Sequence, residues 1–353
     1  MSAIIAEEPP FLQCCWYVAA WSDDVPGDAP FGCMIAGQPI VLYRRRDGAA
    51  VALADRCPHR FAPLSVGRVE GDDIRCGYHG IRFDATGVCR EIPNQDTIPP
   101  QCFVRAYPVV ERHSWLWVWL GDPSQANPGL IPAAVGLDDP DWDLRHGAKT
   151  FAANYVLMHD NLLDLSHLAY VHPTTLGRGA PAWGAGRPAV ERLARGLRVS
   201  RWLPDGLMRI AGAAAPQAVD QWNTYDFLAP GVFLLRNELH PAGTAAASGG
   251  QPPTAAPLQA VFSSQAVTPV DERHTRYFYS IGPRACDSVP GFPERFFAMT
   301  DAAFEEDSAL LREQQRIIDA SPGLKMLPLA GDMPAQTMRR IMAQLKAADR
   351  GVG

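Results

Sequence analysis

Cys57-Pro58-His59-Arg60 and, further on, Cys76-Gly77-Tyr78-His79-Gly80 are the stretches whose reading decides this chain. They join a Cys-x-His pair to a Cys-x-x-His pair, giving two thiolates and two imidazoles. Such a set can hold an iron–sulfur cluster with both thiolates on one iron and both imidazoles on the other. That mixed ligation raises the reduction potential well above that of an all-thiolate cluster. A structural zinc accepts the same donors in a closed tetrahedron, although zinc fingers usually open on Cys-x-x-Cys. Four unrelated buried residues are the third reading.

Outward from these pairs the sequence reads as β structure. Pro39–Tyr43 is apolar and β-branched and leads through Arg45-Arg46-Asp47-Gly48, a hairpin signal, into Ala50–Leu53. A second strand pair is expected around Gly77–Phe83, turning at Asp84-Ala85-Thr86-Gly87. Ser114–Leu120 carries Trp115, Trp117 and Trp119 in alternation, which suits a strand with one face buried and the indoles in the core. Each Cys/His pair therefore falls on a loop between short strands. Two such loops can pinch a cluster and leave its histidine edge near the surface. Gly121–Pro132 reads as a linker.

The chain has 353 residues, enough for two domains, with 47% hydrophobic and 20% charged residues, the balance of a globular protein with a sizeable core. A formal net charge of -6 argues against general nucleic-acid binding. The start, MSAIIAEEPPFLQ, lacks the basic, apolar, small-residue progression of a secretory leader, and no apolar run of membrane-spanning length occurs. Cys14, Cys15, Cys33, Cys89, Cys102 and Cys286 show no framework spacing and read as free thiols in a reducing cytoplasm. No Gly-x-Gly-x-x-Gly follows a strand, so electrons are expected singly from a separate reductase or ferredoxin. Arg56, Arg60, Arg68, Arg75 and Arg82 surround the ligand loops; they read equally as a docking surface for an acidic partner and as solvated loop charges.

A second group of metal-ligand residue types lies in Asn154–Pro173, which reads as a helix carrying Leu162, Leu163 and Leu165 inward. Asp164 and His167, three apart, share a face. His172 lies about 140° further round a regular helix than His167. Both imidazoles reach one metal only where the helix loosens before His172, and Pro173 favours a stop there. Taken alone, two histidines at this spacing are as readily structural. Two His and one carboxylate on one side of a ferrous iron leave positions open for oxygen. Pro293–Ala320 reads as a helix on which Phe304, Asp307 and Leu311 share an inward face. Asp307 is thus the expected carboxylate, Glu306 its rival at the boundary, and Glu305 a solvated side chain.

Trp16-Tyr17-Val18-Ala19, the two Cys/His loops with Ala62-Pro63-Leu64-Ser65, Asp160-Asn161-Leu162-Leu163-Asp164 with His167 and Val171-His172, the Glu306-Asp307 helix running to Gln314-Gln315, and Met338-Arg339-Arg340-Ile341 form one pattern. Over nearly its whole length the chain resembles the oxygenase components of Rieske non-haem iron monooxygenases, of the vanillate O-demethylase type. It departs at Ile81, where the family often carries a bulkier residue. It departs again at residues 241–257, a Pro/Ala/Gly/Ser-rich segment that reads as a mobile insertion between strands.

The resemblance implies an α+β chain. An N-terminal all-β Rieske domain, residues 1–122, would precede a catalytic domain, residues 123–353, with a curved antiparallel sheet covered by helices in the helix-grip manner. It implies one 2Fe-2S cluster on Cys57, His59, Cys76 and His79, and one mononuclear Fe(II) on His167, His172 and Asp307. Oxygen would be the cosubstrate, and NAD(P)H would serve indirectly through the reductase. Asp164 would join His79 of the partner subunit to its own His167 in a head-to-tail ring, normally a homotrimer, with Asn161 a polar neighbour of the iron. Parts of Trp222–His240 and Leu258–Thr268 would line the substrate pocket, with Arg236, Asn237 and His240 the polar candidates either for orienting a carboxylate or phenol or for facing solvent. The expected reaction is O-demethylation of a methoxylated aromatic acid or phenol with release of formaldehyde. Hydroxylation of a methyl, ring or alicyclic carbon without cleavage is the alternative. An electron carrier using only the cluster is a third, and it would not need His167, His172 and Asp307.

Overall fold

The computed structural model describes residues 11–177 and 188–350; most of the start read above for a leader, residues 1–10, lies outside the described residues. The N-terminal part is built from three small antiparallel sheets. One joins Trp16–Trp21 to Trp115–Trp119 and Val109–Arg112. A second joins Phe31–Ile35, Gln38–Arg44, Ala50–Ala54 and Ala106–Tyr107, with the expected hairpin closed by Gly48 N donating to Arg45 O. The third is the short ladder Arg68–Glu70, Asp73–Arg75, Arg82–Phe83 and Cys89–Glu91.

Two expectations need correction here. Residues 77–81 are a loop, and the strand after it is only Arg82–Phe83; the backbone there turns back on Cys76 and cannot pair. The turn at Asp84–Gly87 does form, with Asp84 Oδ1 accepting from Thr86 N and Val88 N. The Trp115–Trp119 strand is buried on both faces. Leu116 and Val118 enter the main core, while Trp115, Trp117 and Trp119 pack with Ile131, Val232, Ala266 and Phe278. A period of two cannot reveal that the second domain covers what would otherwise be a solvent face.

The second part is one seven-stranded antiparallel sheet. Its order is Arg145–Phe151, Thr275–Pro283, Gln259–Pro269, Val232–Pro241, Gln217–Leu228, Gly196–Met208 and Ala189–Leu193. The helices Tyr155–Leu163, Phe292–Ala320 and Met333–Arg350 cover one face. Leu197, Val199, Tyr225, Phe227, Phe233, Tyr277 and Tyr279 from the sheet share a core with Leu157, Met158, Phe304, Leu311 and Met338 from those helices. This is the α+β, helix-covered architecture expected. The 241–257 segment does lie between two strands, but it is tied down: Thr244–Ala247 is a helical turn, Ala245 N donates to Asp220 Oδ2, and Trp202 Nε1 donates to Gln251 O. Its composition reads as loose because those anchors are made by residues distant in sequence. Among the described residues no helix is long and apolar enough to cross a membrane.

Candidate metal centres

The two Cys/His loops are built on one plan. Phe61 N donates to Cys57 O and Gly80 N to Cys76 O; Cys57 N donates to Ala62 O and Cys76 N to Ile81 O. Both loops carry a left-handed residue at the same place, Phe61 at φ 58° and Gly80 at φ 76°. The cysteines are buried, and the imidazoles of His59 and His79 stand with ring centroids 4.5 Å apart at the outer edge. Burial pushes the Cys57 thiol up to about 11, so a bare thiolate is disfavoured and cationic iron is what suits these sulfurs. The surrounding rim is exposed and apolar, with Phe61, Val66 and Tyr78 in solvent. Of the nearby arginines, Arg75 is bound by Glu70 and Glu91, Arg82 by Asp73 and Glu91, and Arg68 by Glu70. Those three are therefore ladder ion pairs. Arg56 lies over the Phe61 ring, and neither it nor Arg60 has a carboxylate partner among the described residues.

The second centre depends on a broken helix. Asn154 caps Tyr155–Leu163 through Val156 N, and the helix stops at Asp164, whose φ −113°, ψ 85° is not helical. A 3-10 turn over Leu165–His167 and a short helix Leu168–Val171 follow, and His172 is again out of helical geometry. The break anticipated before His172 thus comes chiefly at Asp164, where the carboxylate caps the new turn by accepting from Ser166 N and Ser166 Oγ. This re-aims His167 as well as His172. His167, His172 and Asp307 come together with their ligand atoms within 4.8 Å of one another.

The protonation pattern follows from the hydrogen bonds. His167 Nδ1 donates to the Asp164 carbonyl, and His172 Nδ1 donates to Glu306 Oε2 at 2.7 Å. Both Nε2 atoms are left to face Asp307 Oδ1, at 3.5 and 3.3 Å. His167 Nε2 is buried with no hydrogen-bond partner among the described residues. Burial works against a charged His172, yet Asp307 and then Glu306 outweigh it and hold its pKa above the usual imidazole value, so the site favours positive charge. A buried donor set of two imidazoles and one carboxylate, with an orphaned nitrogen turned inward, fits a ferrous ion.

The other candidates sort cleanly. Asp307 is buried, and Asn161 Nδ2 donates to its Oδ1 at 2.9 Å. Glu306 stands outside the His167–His172–Asp307 group and accepts from His172 Nδ1 and from Thr175 Oγ1, the latter at 2.8 Å. Glu305 is exposed and bound to Lys149. Within one chain Asp164 touches His167 through its carbonyl, not its carboxylate. Strand register places Asn237 opposite Asn223, on the helix-covered face with Tyr225 and Phe233. Arg236 and His240 are corrected: they fall on the opposite face, where Arg236 pairs with Glu238 and lies over Trp142, and His240 is buried edge-on to Trp202. The pleat alternates sides, so two neighbours cannot both serve one pocket.

Residues 15–108 match the model of the Rieske [2Fe-2S] domain, and residues 151–348 that of the vanillate O-demethylase oxygenase C-terminal domain. The chain belongs to the Rieske non-haem iron oxygenases. It is 36% identical to the toluene-4-sulfonate monooxygenase system iron-sulfur subunit of Comamonas testosteroni, over 97% of this chain and 99% of that one. It is 30% identical to the vanillate O-demethylase oxygenase subunit of Pseudomonas sp. strain HR199, over 96% of each. A crystal structure of dicamba monooxygenase bound to 3,6-dichlorosalicylic acid superposes with a TM-score of 0.85 at 29% identity, covering 96% of this chain and 99% of that one. As a Rieske oxygenase the protein is an oxidoreductase. It takes one 2Fe-2S cluster and one non-haem iron, and it works with a separate electron donor on an aromatic substrate. The zinc and carrier-only readings fall away. The role of Glu306 was missed in sequence because the partner it orients lies on a different element; its place beside Asp307 was the only signal.

Proposed function

We propose that this oxygenase hydroxylates a methyl carbon carried by a small aromatic substrate, first of all the methyl of an aryl ether. The observation that carries the reading is the His167–His172–Asp307 triad, with His172 and Asp307 buried and His167 half-buried, held by helices that pack on the aromatic face of the sheet. The iron these residues would hold supplies oxygen activation. The protein's own part is positional. Glu306 and the Asp164 carbonyl fix the two imidazoles, and Asn161 holds Asp307. Tyr225, Tyr277 and Phe233 are buried in the core that the sheet shares with the helices. Overall, the methyl, one oxygen molecule, two electrons and two protons give a hydroxymethyl group and water. On an ether oxygen that product is a hemiacetal, which collapses to the phenol and formaldehyde.

A second reading, ring-methyl hydroxylation without cleavage, is favoured by the 36% identical relative named for toluene-4-sulfonate. Trapped formaldehyde equal to phenol, with a surrogate reductase and methoxylated aromatics, supports demethylation. Benzylic alcohol from methylated aromatics, with no formaldehyde, selects the second reading.

The domain division at 122/123 belongs to the proposal and is supported by the sheets, since none joins a strand from before it to one after. So does a head-to-tail homotrimer, supported by the exposed apolar rim round His59 and His79 and by the partly exposed Asp164. Arg56 and Arg60 are the proposed contacts for an acidic electron donor in the cytoplasm.

A further inference from the structure

We propose that Tyr277 and Tyr279 form an outlet for oxidising equivalents, drawing a hole away from the iron ligands to a tyrosyl radical at Tyr279 whose proton is taken by Asp301. The inference rests on the His167–His172–Asp307 iron site and holds whichever carbon of the substrate is oxidised. The path is continuous in space. Phe304 lies one helical turn before Asp307 on the same buried face, and Tyr277 meets its ring edge-on at 5.1 Å. Tyr277 and Tyr279 are stacked, with ring centroids 5.2 Å apart and planes at 29°. Tyr279 in turn lies edge-on to Phe304 and stacks on Phe297. Its hydroxyl donates to Asp301 Oδ1, and Lys149 Nζ holds the same oxygen at 3.0 Å. Both phenol rings are buried, while Asp301 keeps 38% of its side chain in solvent. The row therefore begins in the packing around an iron ligand and ends at water.

Tyr225, Tyr277 and Tyr279 differ in what can take their proton. Tyr225 donates to the amide oxygen of Gln265 at 2.6 Å, and the Tyr277 hydroxyl is buried with no hydrogen-bond partner among the described residues. A phenol that loses an electron becomes a strong acid, so its oxidation is favoured where a base already sits within hydrogen-bond reach. Of the three, Tyr279 meets that condition. Burial works against an ionised Asp301, yet the Tyr279 hydroxyl and then Lys149 outweigh it and hold its pKa below the usual carboxylate value. Tyr277 is the bridge: burial first, then Tyr225, Asp307 and Tyr279, push its pKa up, in keeping with a place between the iron ligands and Tyr279. When oxygen is reduced with no substrate carbon in reach, Tyr279 gives one electron, through Tyr277, to the oxidised iron centre. The phenolic proton passes to Asp301, leaving a neutral phenoxyl radical, and Asp301 then releases the proton to water. A small thiol restores the phenol by giving up a hydrogen atom, and two thiyl radicals so formed join as a disulfide.

The test uses the holoenzyme without substrate and hydrogen peroxide as the probe oxidant, with samples frozen in the first seconds for electron paramagnetic resonance. The wild type should give a tyrosyl radical, assigned by the narrowing of its signal in protein grown on ring-deuterated tyrosine. Tyr279→Phe should lose that signal. Asp301→Asn, which keeps a hydrogen-bond acceptor but no base, should lose most of it. Tyr277→Phe removes a hydroxyl without a partner and should make the radical later and smaller. Peptide mass spectrometry gives a second readout: Tyr279→Phe should accumulate oxidation on the peptides bearing His167 and His172 sooner than wild type, at an unchanged initial rate of product formation with substrate. A merely structural Tyr279 would change the melting temperature and leave the oxidation pattern as it was. No tyrosyl radical in an iron-loaded wild type that makes product would overturn the outlet and leave the iron site standing. A radical unchanged in any of the three variants would also overturn it, and a protein that takes up no iron would overturn both.

Discussion

The four proposed cluster ligands come from two copies of one turn, each closed by its own backbone: Cys57 with Phe61 and Ala62, Cys76 with Gly80 and Ile81. The three proposed iron ligands have no such unit. His167 and His172 hang from a helix broken at Asp164, and Asp307 comes from a separate helix whose Glu306 holds His172. A site made of local turns is written in residue spacing. A site made by packing two helices on a sheet depends on the whole core being in place. The two sites should therefore fail differently when disturbed.

Cys57→Ala breaks one of the paired loops and has the largest expected effect: the visible chromophore and all turnover are lost, while the catalytic domain stays folded with its iron. Absorption, sulfide and iron analysis check this, and a coloured, sulfide-bearing variant would contradict the ligand assignment. Asp307→Ala is the counterpart. The chromophore should stay, iron should fall by one per chain, and product should drop below detection. An active Asp307→Ala beside a dead Glu306→Ala would exchange the two carboxylates.

Between those extremes lies Glu306→Ala, which frees His172 without removing a ligand and should weaken iron binding or activity about 10- to 100-fold. Glu306→Gln keeps an acceptor for His172 Nδ1 and should recover much of the loss. Identical iron titrations for all three proteins would remove the orienting role.

The smallest effect is on stability and concerns a histidine outside both ligand sets. His159 is fully buried among Tyr155, Phe227 and Phe233, and neither ring nitrogen has a hydrogen-bond partner among the described residues. Burial pushes its pKa down to about 3 from the ordinary 6.5. The unfolded chain therefore takes up a proton first as pH falls, and this residue's share of stability is present above about pH 6.5 and is lost down to about pH 3. His159→Leu should stabilise the fold by about 1 to 2 kcal/mol near neutrality. Its advantage should widen from pH 7 to pH 4 in denaturant melts; a constant difference would mean the ring finds a partner.

Much of the fold was legible in the sequence. Gln38–Arg44 and Ala50–Ala54 pair and turn where the residues say they should, and Phe292–Ala320 buries Phe304, Asp307 and Leu311 at helical spacing. Two further features were not readable. Trp115–Trp119 looks one-sided because its second cover, Val232, Ala266 and Phe278, comes from far along the chain. Arg236 and His240 looked like pocket residues by chemistry alone, and only the register at Asn223–Asn237 and Trp222–Glu238 shows that they stand behind the sheet.

The sequence by itself determined the chemistry. Cys57, His59, Cys76 and His79 read as a cluster site because ligand spacing within a tight turn is a local property, and residue type and helix period put forward His167, His172 and Asp307 as candidate iron ligands, with Glu306 as the rival carboxylate. The tertiary structure decided how those groups are aimed. The break at Asp164, the grip of Glu306 on His172 and the face on which each strand residue stands all come from contacts between segments far apart in sequence. Local spacing carries no information about such contacts until the sheet and helices have closed on one another.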